Sequence, residues 1–484
     1  MIKISSSLFS AWNDANLQYC HWKSNEHLLP GLDGETDLDV LLSIHDKSKG
    51  EEILLSLNFL ECRSQYGSRY PGVADWIGFD KETGKLIHVH LHFSLVTGHK
   101  GMKEYNLPWT ERTLQTRVLN EKYNVWMMEP NLELITLYTR FGLKADLFKI
   151  RKAKNGNFKL SKEDIAEVTY LKNQVDWTKV RELLQEYYPK YSEELFEIIK
   201  SDILSSSQLL RLITITEDAM KPNRRRIPYY HLKKRYWRIW MKFIKVWRKH
   251  TAWVGITRKT PISGKGLVVA FLGQDGSGKS TISIDIEKWL SWKIDVRRFY
   301  LGSGEHWNPW QKKVLKMIPN VAVFKPIRAI VSISQTMALA KNKKKTIATA
   351  CKYCNMGGIA MYDRFPQTKY YGINDGPVVR TKYMKSFGKG LLKPLVENFA
   401  HIEETIISDA CTMTPDIVIK LMLTPEESIR RKPFENYEAV KAKHEIIKNL
   451  DFPNSSVYSV DATQPYNQEI IQIKNIIWSH ILKS

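Results

Sequence analysis

Residues 266–290 contain the pattern that most constrains how this chain can fold. An apolar run, GLVVAFL, ends at Leu272 and is followed by Gly273-Gln-Asp-Gly-Ser-Gly-Lys-Ser280. Apolar residues at helical spacing then continue from Ile282 to Leu290. A strand, a glycine-rich loop and a helix in this order form the context of a phosphate-binding loop. In such a loop, backbone N–H groups point at phosphate oxygens and the helix N-terminus adds positive potential.

The two residues that close this loop have side chains suited to a nucleotide triphosphate. Lys279 is expected to reach the β- and γ-phosphates, and the hydroxyl of Ser280 is expected to ligate Mg²⁺. A chance glycine-rich turn is the alternative, but the complete flanking strand and helix argue against it. The segment therefore predicts binding of ATP with Mg²⁺.

The rest of the C-terminal half predicts an α/β fold, with a parallel sheet that carries helices on both faces. Further apolar segments alternate with helical stretches, and polar residues follow the ends of the segments, where such folds bind ligands. The predicted strands are 296–300, 358–362, 416–423 and 457–460.

Four motifs in this half, taken in order, resemble thymidylate kinase and the thymidylate-kinase-like nucleoside monophosphate kinases. They are FLGQDGSGKST, YDRF, PDIVIKLMLTPEESIRRK and VDATQP, and the resemblance covers residues 264–484. It implies that Asp275 faces the acceptor, that Asp363 holds Mg²⁺ or orients the acceptor, and that Arg364 contacts the acceptor phosphate. It also implies that Arg430 and Arg431 lie in a cationic lid. The ATP-binding residues that it implies are Gly273, Asp275, Gly276, Ser277, Gly278, Lys279, Ser280 and Thr281.

The sequence departs from this family where the acceptor base is read. After Asp363-Arg364 the chain continues Phe-Pro-Gln-Thr-Lys-Tyr-Tyr-Gly, without the Ser and the Ala-Tyr-Gln that usually help seat the nucleotide. We therefore expect a phosphotransferase that acts on a nucleoside monophosphate or on another phosphorylated or hydroxyl acceptor. A nucleotide-sensing or scaffold protein without transfer activity is the alternative.

The N-terminal region contains a second pair of candidate metal ligands. Asp37 and Asp39 alternate with apolar residues, so both carboxylates face one side of a strand and are able to hold Mg²⁺. Together with the Lys23-Ser24 turn they resemble the nucleotidyltransferase superfamily, which implies an α+β domain with Ser24, Asp37 and Asp39 in its site. A solvated strand edge is the alternative, and nucleotidyl transfer as the principal activity is a third functional interpretation.

The strand that should supply a third carboxylate carries histidines instead. Residues 86–93 place His88, His90 and His92 on one face, and His90 takes the position of the acid. A solvated histidine face is the expectation, and zinc binding is the alternative. A helical region follows, with amphipathic segments at 132–143 and 177–188.

The charge of the chain, +22, is concentrated in one segment. Residues 221–265 hold 15 Lys and Arg and no Asp or Glu, together with Trp237, Trp240, Trp247 and Trp253. Three interpretations are open for this basic aromatic segment: packing on a neighbouring domain, docking on an anionic membrane surface, or, with less support, binding of nucleic acid. The predicted organisation is a nucleotidyltransferase-like domain at 1–105, a helical domain at 106–220, the basic linker at 221–263 and a kinase domain at 264–484.

Composition narrows the protein class. Five cysteines do not suit a disulfide scaffold, and neither a signal peptide nor an apolar run of about 20 residues is recognised. We expect a cytoplasmic enzyme, with peripheral attachment at the inner membrane face through the linker as an option. The expected partners are a nucleotide and a small-molecule acceptor, and by analogy with related kinases a second copy of the chain.

Overall fold

The computed structural model divides the chain into two compact units, residues 1–250 and 251–484. It describes residues 1–62, 70, 72–99, 101–232, 236, 239, 243, 262, 264–302, 325–373, 375–387, 393–434 and 436–483. The boundary between the units falls inside the predicted 221–263 linker, whose Trp237, Trp240, Trp247 and Trp253 lie outside the described residues. The predicted helical segment 106–220 shares the first unit with the N-terminal sheet.

Among the described residues of the first unit, seven strands form one mixed sheet, in the order β3-β4-β5-β2-β1-β9-β8. Two further short strands, β6 and β7, pair with each other. The strands are β1 Tyr19–His21, β2 Leu38–Leu42, β3 Leu60–Cys62, β4 Val73–Phe79, β5 Leu86–His92, β6 Val96–Thr97, β7 Tyr105–Asn106, β8 Val118–Asn120 and β9 Val125–Met127.

Among the described residues, the helices of the first unit pack into two apolar cores. One core packs the first helices against the sheet through Leu8, Phe9 and Trp12, and the other joins the later helices to residues of the sheet region such as Cys20 and Tyr105. The predicted helices at 132–143 and 177–188 are confirmed as α5 and α8. The helices are α1 Lys3–Asp14, α2 Leu28–Leu32, α3 Lys47–Ser56, α4 Thr110–Gln115, α5 Pro130–Leu143, α6 Leu147–Lys154, α7 Lys162–Lys172, α8 Trp177–Tyr187, α9 Ser192–Lys200 and α10 Ser206–Ala219.

The second unit contains a parallel five-stranded sheet, counted over its described residues. Its strand order is β11-β12-β10-β13-β14, and every neighbouring pair is parallel. The strands are β10 Val268–Gly273, β11 Val296–Phe299, β12 Ile359–Tyr362, β13 Ile417–Met422 and β14 Ser456–Asp461. All the strands that the apolar segments predicted are present, within two residues of the expected bounds at each end.

Helices cover both faces of this parallel sheet. Val268, Ala270 and Leu272 belong to a core that includes Ile347 and Tyr353 of the long helix α12, and the intervening Val269 and Phe271 are also fully buried. Continuous apolar strands of this kind are typical of a sheet with two covered faces. The helices are α11 Lys279–Leu290, α12 Lys325–Cys354, α13 Val379–Phe387, α14 Lys393–Cys411, α15 Pro425–Arg431, α16 Tyr437–Asn449 and α17 Tyr466–Ile481.

The polar residues that the sequence singled out lie at the carboxyl edge of this sheet. Gly273 ends β10, Asp363 follows β12 and the helix α15 begins just after β13. Because parallel strands end at one common edge, the fold brings these three segments together. Within the described parts of the chain, no helix has the length and apolar character that crossing a membrane requires.

Candidate functional site

The phosphate-loop candidate forms a tight turn between β10 and α11. Gly276 and Gly278 both have φ of +83°, a left-handed conformation that is costly for residues with a Cβ atom. Helix α11 begins directly after Gly278, at Lys279. The local sequence therefore produces the strand, loop and helix geometry that the motif predicts.

Lys279 points back into the loop that precedes it. Its Nζ donates hydrogen bonds to the carbonyl oxygens of Gly273 and Gln274, at 2.7 and 2.8 Å. Burial lowers the pKa of Lys279 to about 8, and the neighbouring Arg364 acts in the same direction. The buried hydroxyl of Ser277 has no hydrogen-bond partner among the described residues. A recessed ammonium and an unsatisfied donor in one loop fit an anionic group such as a phosphate.

Ser280 and Asp363 present two oxygen donors beside this loop. The Ser280 Oγ lies 3.5 Å from Oδ2 of Asp363, because β12 pairs in parallel with β10 and ends next to the loop. Asp363 is buried, whereas Ser280 and Thr281 are exposed in the first turn of α11. Mg²⁺ prefers hydroxyl, carboxylate and water oxygens, so this donor pair fits a magnesium ion that keeps several of its waters.

Arg364 lies at the cleft that opens beside the loop. Its NH1 atom is 4.0 Å from Asp375, and its buried Nε has no hydrogen-bond partner among the described residues. Asp375 is also paired with Lys343, at 2.7 Å. The cleft is lined by Phe271, Leu272, Gly273, Gln274, Asp275, Lys279, Arg364, Asp375, Lys443, Ile447 and Leu450. Charges of both signs therefore surround the space next to the phosphate loop.

Asp275 is held by a lysine that the sequence did not single out. Lys443 of α16 forms an ion pair with its carboxylate at 2.6 Å. Burial on its own would raise the pKa of Asp275, but the contact with Lys443 and the charges of Lys279 and Lys432 together outweigh burial, so the pKa is lowered. Asp275 is thus an anion at neutral pH. Its side chain and that of Lys443 both line the cleft.

The two candidate lid arginines occupy different positions. Arg430 is 78% exposed and forms an ion pair with Glu427. Arg431 also pairs with Glu427, but its guanidinium additionally donates to the carbonyl oxygens of Gly276 and Ala462, at 3.3 and 3.0 Å. Arg431 is therefore the one of the two that contacts the backbone of the phosphate loop.

Helix α15 makes a second contact with the same loop. The hydroxyl of Ser428 donates to the carbonyl oxygen of Asp275 at 2.8 Å. The helix starts at a regular N-cap, where Thr424 accepts from the backbone N–H of Glu427 and Pro425 occupies the first turn. This capping and the two contacts place α15 directly against the loop.

The segment after Arg364 is organised by a buried glutamine. Gln367 donates to the carbonyl oxygens of Tyr370 and Ile373, at 2.6 and 2.9 Å, and accepts from the N–H of Tyr370. Its amide group is therefore occupied in holding the loop. Gln367, which lies where the sequence lacks the family's usual nucleotide-seating residues, therefore has a structural role in this segment.

In the first unit, the candidate carboxylates and the histidines meet on adjacent strands. Strand β2 pairs in parallel with β5, with Asp39 beside His90. Asp39 Oδ1 lies 3.0 Å from His90 Nδ1, and Asp37 Oδ1 lies 2.9 Å from His88 Nδ1. The predicted Asp37, Asp39 and His90 are therefore brought to one face of the sheet.

The prediction that the three histidines form a solvated face is wrong. His88 and His92 are buried, and only His90 keeps partial exposure. Strand β5 lies between β2 and β4, so the carboxylates of Asp39 and Asp75 flank its histidines on both sides. Alternation predicts which residues share a face, but it does not show that acidic side chains contact them there.

One of these partners is Asp75, which sequence reasoning missed. It lies on β4 opposite His90, and its Oδ1 is 3.1 Å from His88 Nε2 and 3.8 Å from His90 Nε2. A third carboxylate is thus present near the predicted position, but on the neighbouring strand. The alternating pattern Val73-Ala-Asp-Trp-Ile77 was the signal that could have indicated it.

The Lys23-Ser24 turn divides its contacts between two groups. The ammonium of Lys23 lies 2.7 Å from Asp39 Oδ1. Ser24, in a left-handed conformation, donates both its backbone N–H and its hydroxyl to Glu167 at 3.1 Å. Within this turn, Lys23 therefore contacts Asp39, whereas Ser24 is hydrogen-bonded to Glu167 of helix α7.

Curated proteins and solved structures are similar to part of this chain. No family model matches it. It is 24% identical over 229 residues to the uncharacterized ATP-binding protein YghR of Escherichia coli (strain K12), covering 43% of this chain and 86% of that protein. It is also 24% identical over 238 residues to the uncharacterized ATP-binding protein YghS of the same strain, covering 45% and 93%.

Similar solved structures include two nucleotide-metabolism kinases. Deoxyadenosine kinase from M. mycoides with bound dATP is 18% identical, covers 44% of this chain and 99% of its own, and has a TM-score of 0.29. Thymidylate kinase from Candida albicans is 17% identical, covers 46% and 95%, and has a TM-score of 0.28. At these TM-scores the likenesses carry no weight of their own. The phosphate-loop fold of the second unit rests on its parallel sheet and its loop geometry.

Proposed function

We propose that the second unit is an ATP- and Mg²⁺-dependent phosphotransferase. The observation that carries this proposal is the grouping of Lys279, Ser280, Asp363 and Arg364 around one loop and one cleft. Lys279 would bind the phosphates, and Ser280 with Asp363 would hold Mg²⁺. The ion supplies charge neutralisation of the phosphates when it is bound.

The chain's own residues would act by positioning and by electrostatics. Phosphoryl transfer spreads negative charge over the transferring group, so cations near the loop stabilise the transition state. Arg431 contacts the loop backbone and Arg364 lines the cleft, and both would face that charge. Asp275, kept anionic beside Lys443, would orient the acceptor.

The acceptor is a nucleoside monophosphate or another phosphorylated or hydroxyl compound. Arg364, whose buried Nε has no hydrogen-bond partner within the described parts of the chain, supports an anionic group in the acceptor. The amide of Gln367 is hydrogen-bonded within its own loop, which argues against recognition of the base of dTMP by this residue. The names of the curated relatives YghR and YghS, both ATP-binding proteins, support the nucleotide part of the proposal.

The test is ATP turnover by the full-length chain with a screen of nucleoside monophosphates, sugars and sugar phosphates. Lys279→Ala should lower acceptor-dependent turnover by at least about a hundredfold, because it removes a cation from the transferring phosphates. Lys288→Ala, an exposed lysine on the same helix, is the matched control and should retain activity. Unchanged turnover in Lys279→Ala would contradict the proposal.

A nucleotide sensor without transfer activity is the second candidate. The observation that favours it is that Asp275 is already paired with Lys443 and that both lid arginines are paired with Glu427. ATP binding without any phosphorylated product across the acceptor screen would favour this reading. Detection of one product would exclude it.

For the first unit, we propose a nucleotidyltransferase-like domain. Asp37 and Asp39, just before and within β2, and Asp75 of β4 supply carboxylates on both sides of β5, which supports the resemblance. The histidines that contact each carboxylate distinguish this site from one made of acids alone. Nucleotidylated product that is lost in Asp39→Asn but kept in Lys279→Ala would assign this activity to the first unit.

The linker at 221–263 is proposed to attach the chain to an anionic membrane surface. Its composition of Lys, Arg and Trp supports this, as salt-dependent attraction to acidic lipids requires such residues. Binding to acidic vesicles that weakens with salt, and no binding to neutral vesicles, is the expected behaviour.

A further inference from the structure

Three side chains of the first unit bring their donor atoms together on adjacent strands. Asp39 belongs to β2, and His90 and His92 lie two residues apart on β5, so they share one face. His90 Nδ1 lies 3.0 Å from Asp39 Oδ1, His92 Nε2 lies 3.5 Å from the same oxygen, and the two nitrogens are 3.4 Å apart. The three atoms form a nearly equilateral triangle.

This triangle has the size that one metal ion requires. Ligands at about 2.1 Å from an ion are separated by about 3.0 Å at right angles and by about 3.4 Å at a tetrahedral angle. The three measured separations fall in this range or within 0.1 Å of it. The strands already hold the donors where an ion could bind them with little movement.

We propose that Asp39, His90 and His92 bind a divalent first-row transition-metal ion. Two imidazole nitrogens and one carboxylate oxygen on one side of an ion leave positions for water or a substrate. This donor set suits zinc, iron or cobalt, whereas Mg²⁺ prefers oxygen ligands alone. The site also differs from the expected Asp37–Asp39 magnesium pair, because the Asp37 carboxylate contacts His88.

The surroundings of the triangle support a metal-binding role. His92 is fully buried, so its Nε2 is held in the triangle by the surrounding protein. Asp75 lies 3.8 Å from the His90 nitrogen that does not face the triangle. A carboxylate behind a histidine ligand orients the ring and raises its basicity in many metal sites.

Lys23 is the group that opposes a cation here. Its ammonium lies 2.7 Å from Asp39 Oδ1, on the oxygen that the ion would share. It also lies 4.9 Å from the ring of Trp22, a contact that can hold it when it leaves the carboxylate. An incoming ion must displace this ammonium, so Lys23 should weaken metal binding in the native protein.

The test uses the metal-stripped full-length chain, Co²⁺ as the probe and no nucleotide, so that the phosphate-loop site does not contribute. Equilibrium dialysis should show one Co²⁺ per chain, retained in a large excess of Mg²⁺. The absorption spectrum should show ligand-field bands without the charge-transfer band of a thiolate, which excludes the free cysteines Cys351 and Cys354 near the end of α12 as ligands. His90→Ala and His92→Ala should each lose at least about tenfold in affinity.

Two variants make the result specific to the triangle. His45→Ala removes an exposed histidine of the same unit and should bind Co²⁺ as the wild type does. Lys23→Met should bind Co²⁺ at least about tenfold more tightly, because it removes a competing charge next to Asp39. If Asp39, His90 and His92 only stabilised the fold, Lys23→Met would not bind Co²⁺ more tightly than the wild type.

Several outcomes would overturn the inference. They are no Co²⁺ bound by the wild type, displacement of Co²⁺ by Mg²⁺, and histidine variants that bind as tightly as the wild type. If the histidine variants fail to fold, as judged by circular dichroism, Lys23→Met decides the question. Unchanged or weaker Co²⁺ binding by Lys23→Met would then refute the site.

Discussion

Glu133 of helix α5 provides a sharp test of how the first unit is held together. It is 2% exposed, and both the backbone N–H and the side-chain amide of Asn25 donate to its carboxylate. Burial raises the pKa of Glu133 to about 7, although the contacts with Asn25 oppose this shift. The carboxyl group should therefore keep its proton in the folded protein at mildly acidic pH.

The effect on stability follows from the two pKa values of this group. The ordinary pKa is 4.5 and the folded value is about 7, a difference of about 2.5 units or about 3 kcal/mol. Because the folded pKa is raised, the stabilisation is complete below pH 4.5. It is lost as the pH rises toward 7, where the unfolded state has already released the proton.

Glu133→Gln should remove this pH dependence. As the pH rises from 4.5 to above 7, the unfolding free energy of the wild type should fall by about 3 kcal/mol relative to that of the variant. The variant also loses one hydrogen-bond acceptor, which adds a constant offset of about 1 kcal/mol. Urea titrations with hydrogen–deuterium exchange of peptides from Pro130–Leu143 would report on this unit alone.

Glu182→Gln, an exposed residue on α8, is the control and should show no such shift. A constant difference between wild type and Glu133→Gln across pH 5 to 7 would refute the reasoning. It would mean that the carboxyl group titrates as it does in water, and that Asn25 compensates for its burial.

Two further predictions concern the phosphate loop. Arg431→Met should lower the rate of phosphoryl transfer by about a hundredfold, and Arg430→Met by much less, because Arg431 is the one of the two that contacts the loop. Equal losses of rate in single-turnover assays would contradict this prediction. Gly273→Ala would place a Cβ 2.4 Å from Ser277 Oγ and 3.0 Å from the carbonyl oxygen of Leu421. It should weaken ATP binding in calorimetry and cost about 1–3 kcal/mol of stability, and wild-type affinity would show that the loop adapts.

Local patterns predicted the second unit well. An apolar strand, two glycines with positive φ and a helix start are determined by neighbouring residues, so the loop from Gly273 to Ser280 could be placed from sequence. The loop itself needed only spacing and side-chain chemistry. The place of Asp363 beside Ser280 was implied by the resemblance to thymidylate-kinase-like proteins, and the structure brings the two together because β12 pairs in parallel with β10.

Contacts between segments far apart in sequence could not be predicted in this way. Lys443 is 168 residues from Asp275, and its helix showed only an ordinary amphipathic pattern. Asp75 reaches His88 only because β4 folds back on β5 in one particular register. Periodicity defines which face a residue occupies, but it does not show which strand or helix will lie against that face.

The contacts of helix α15 have a consequence for how this helix moves. Ser428 and Arg431 tie this helix to the carbonyl oxygens of Asp275 and Gly276, and Arg431 also reaches Ala462. Because these contacts join the helix to the loop backbone, we expect a displacement of α15 to be transmitted to the loop. If the loop binds phosphates as proposed, movement of α15 and nucleotide release should be coupled.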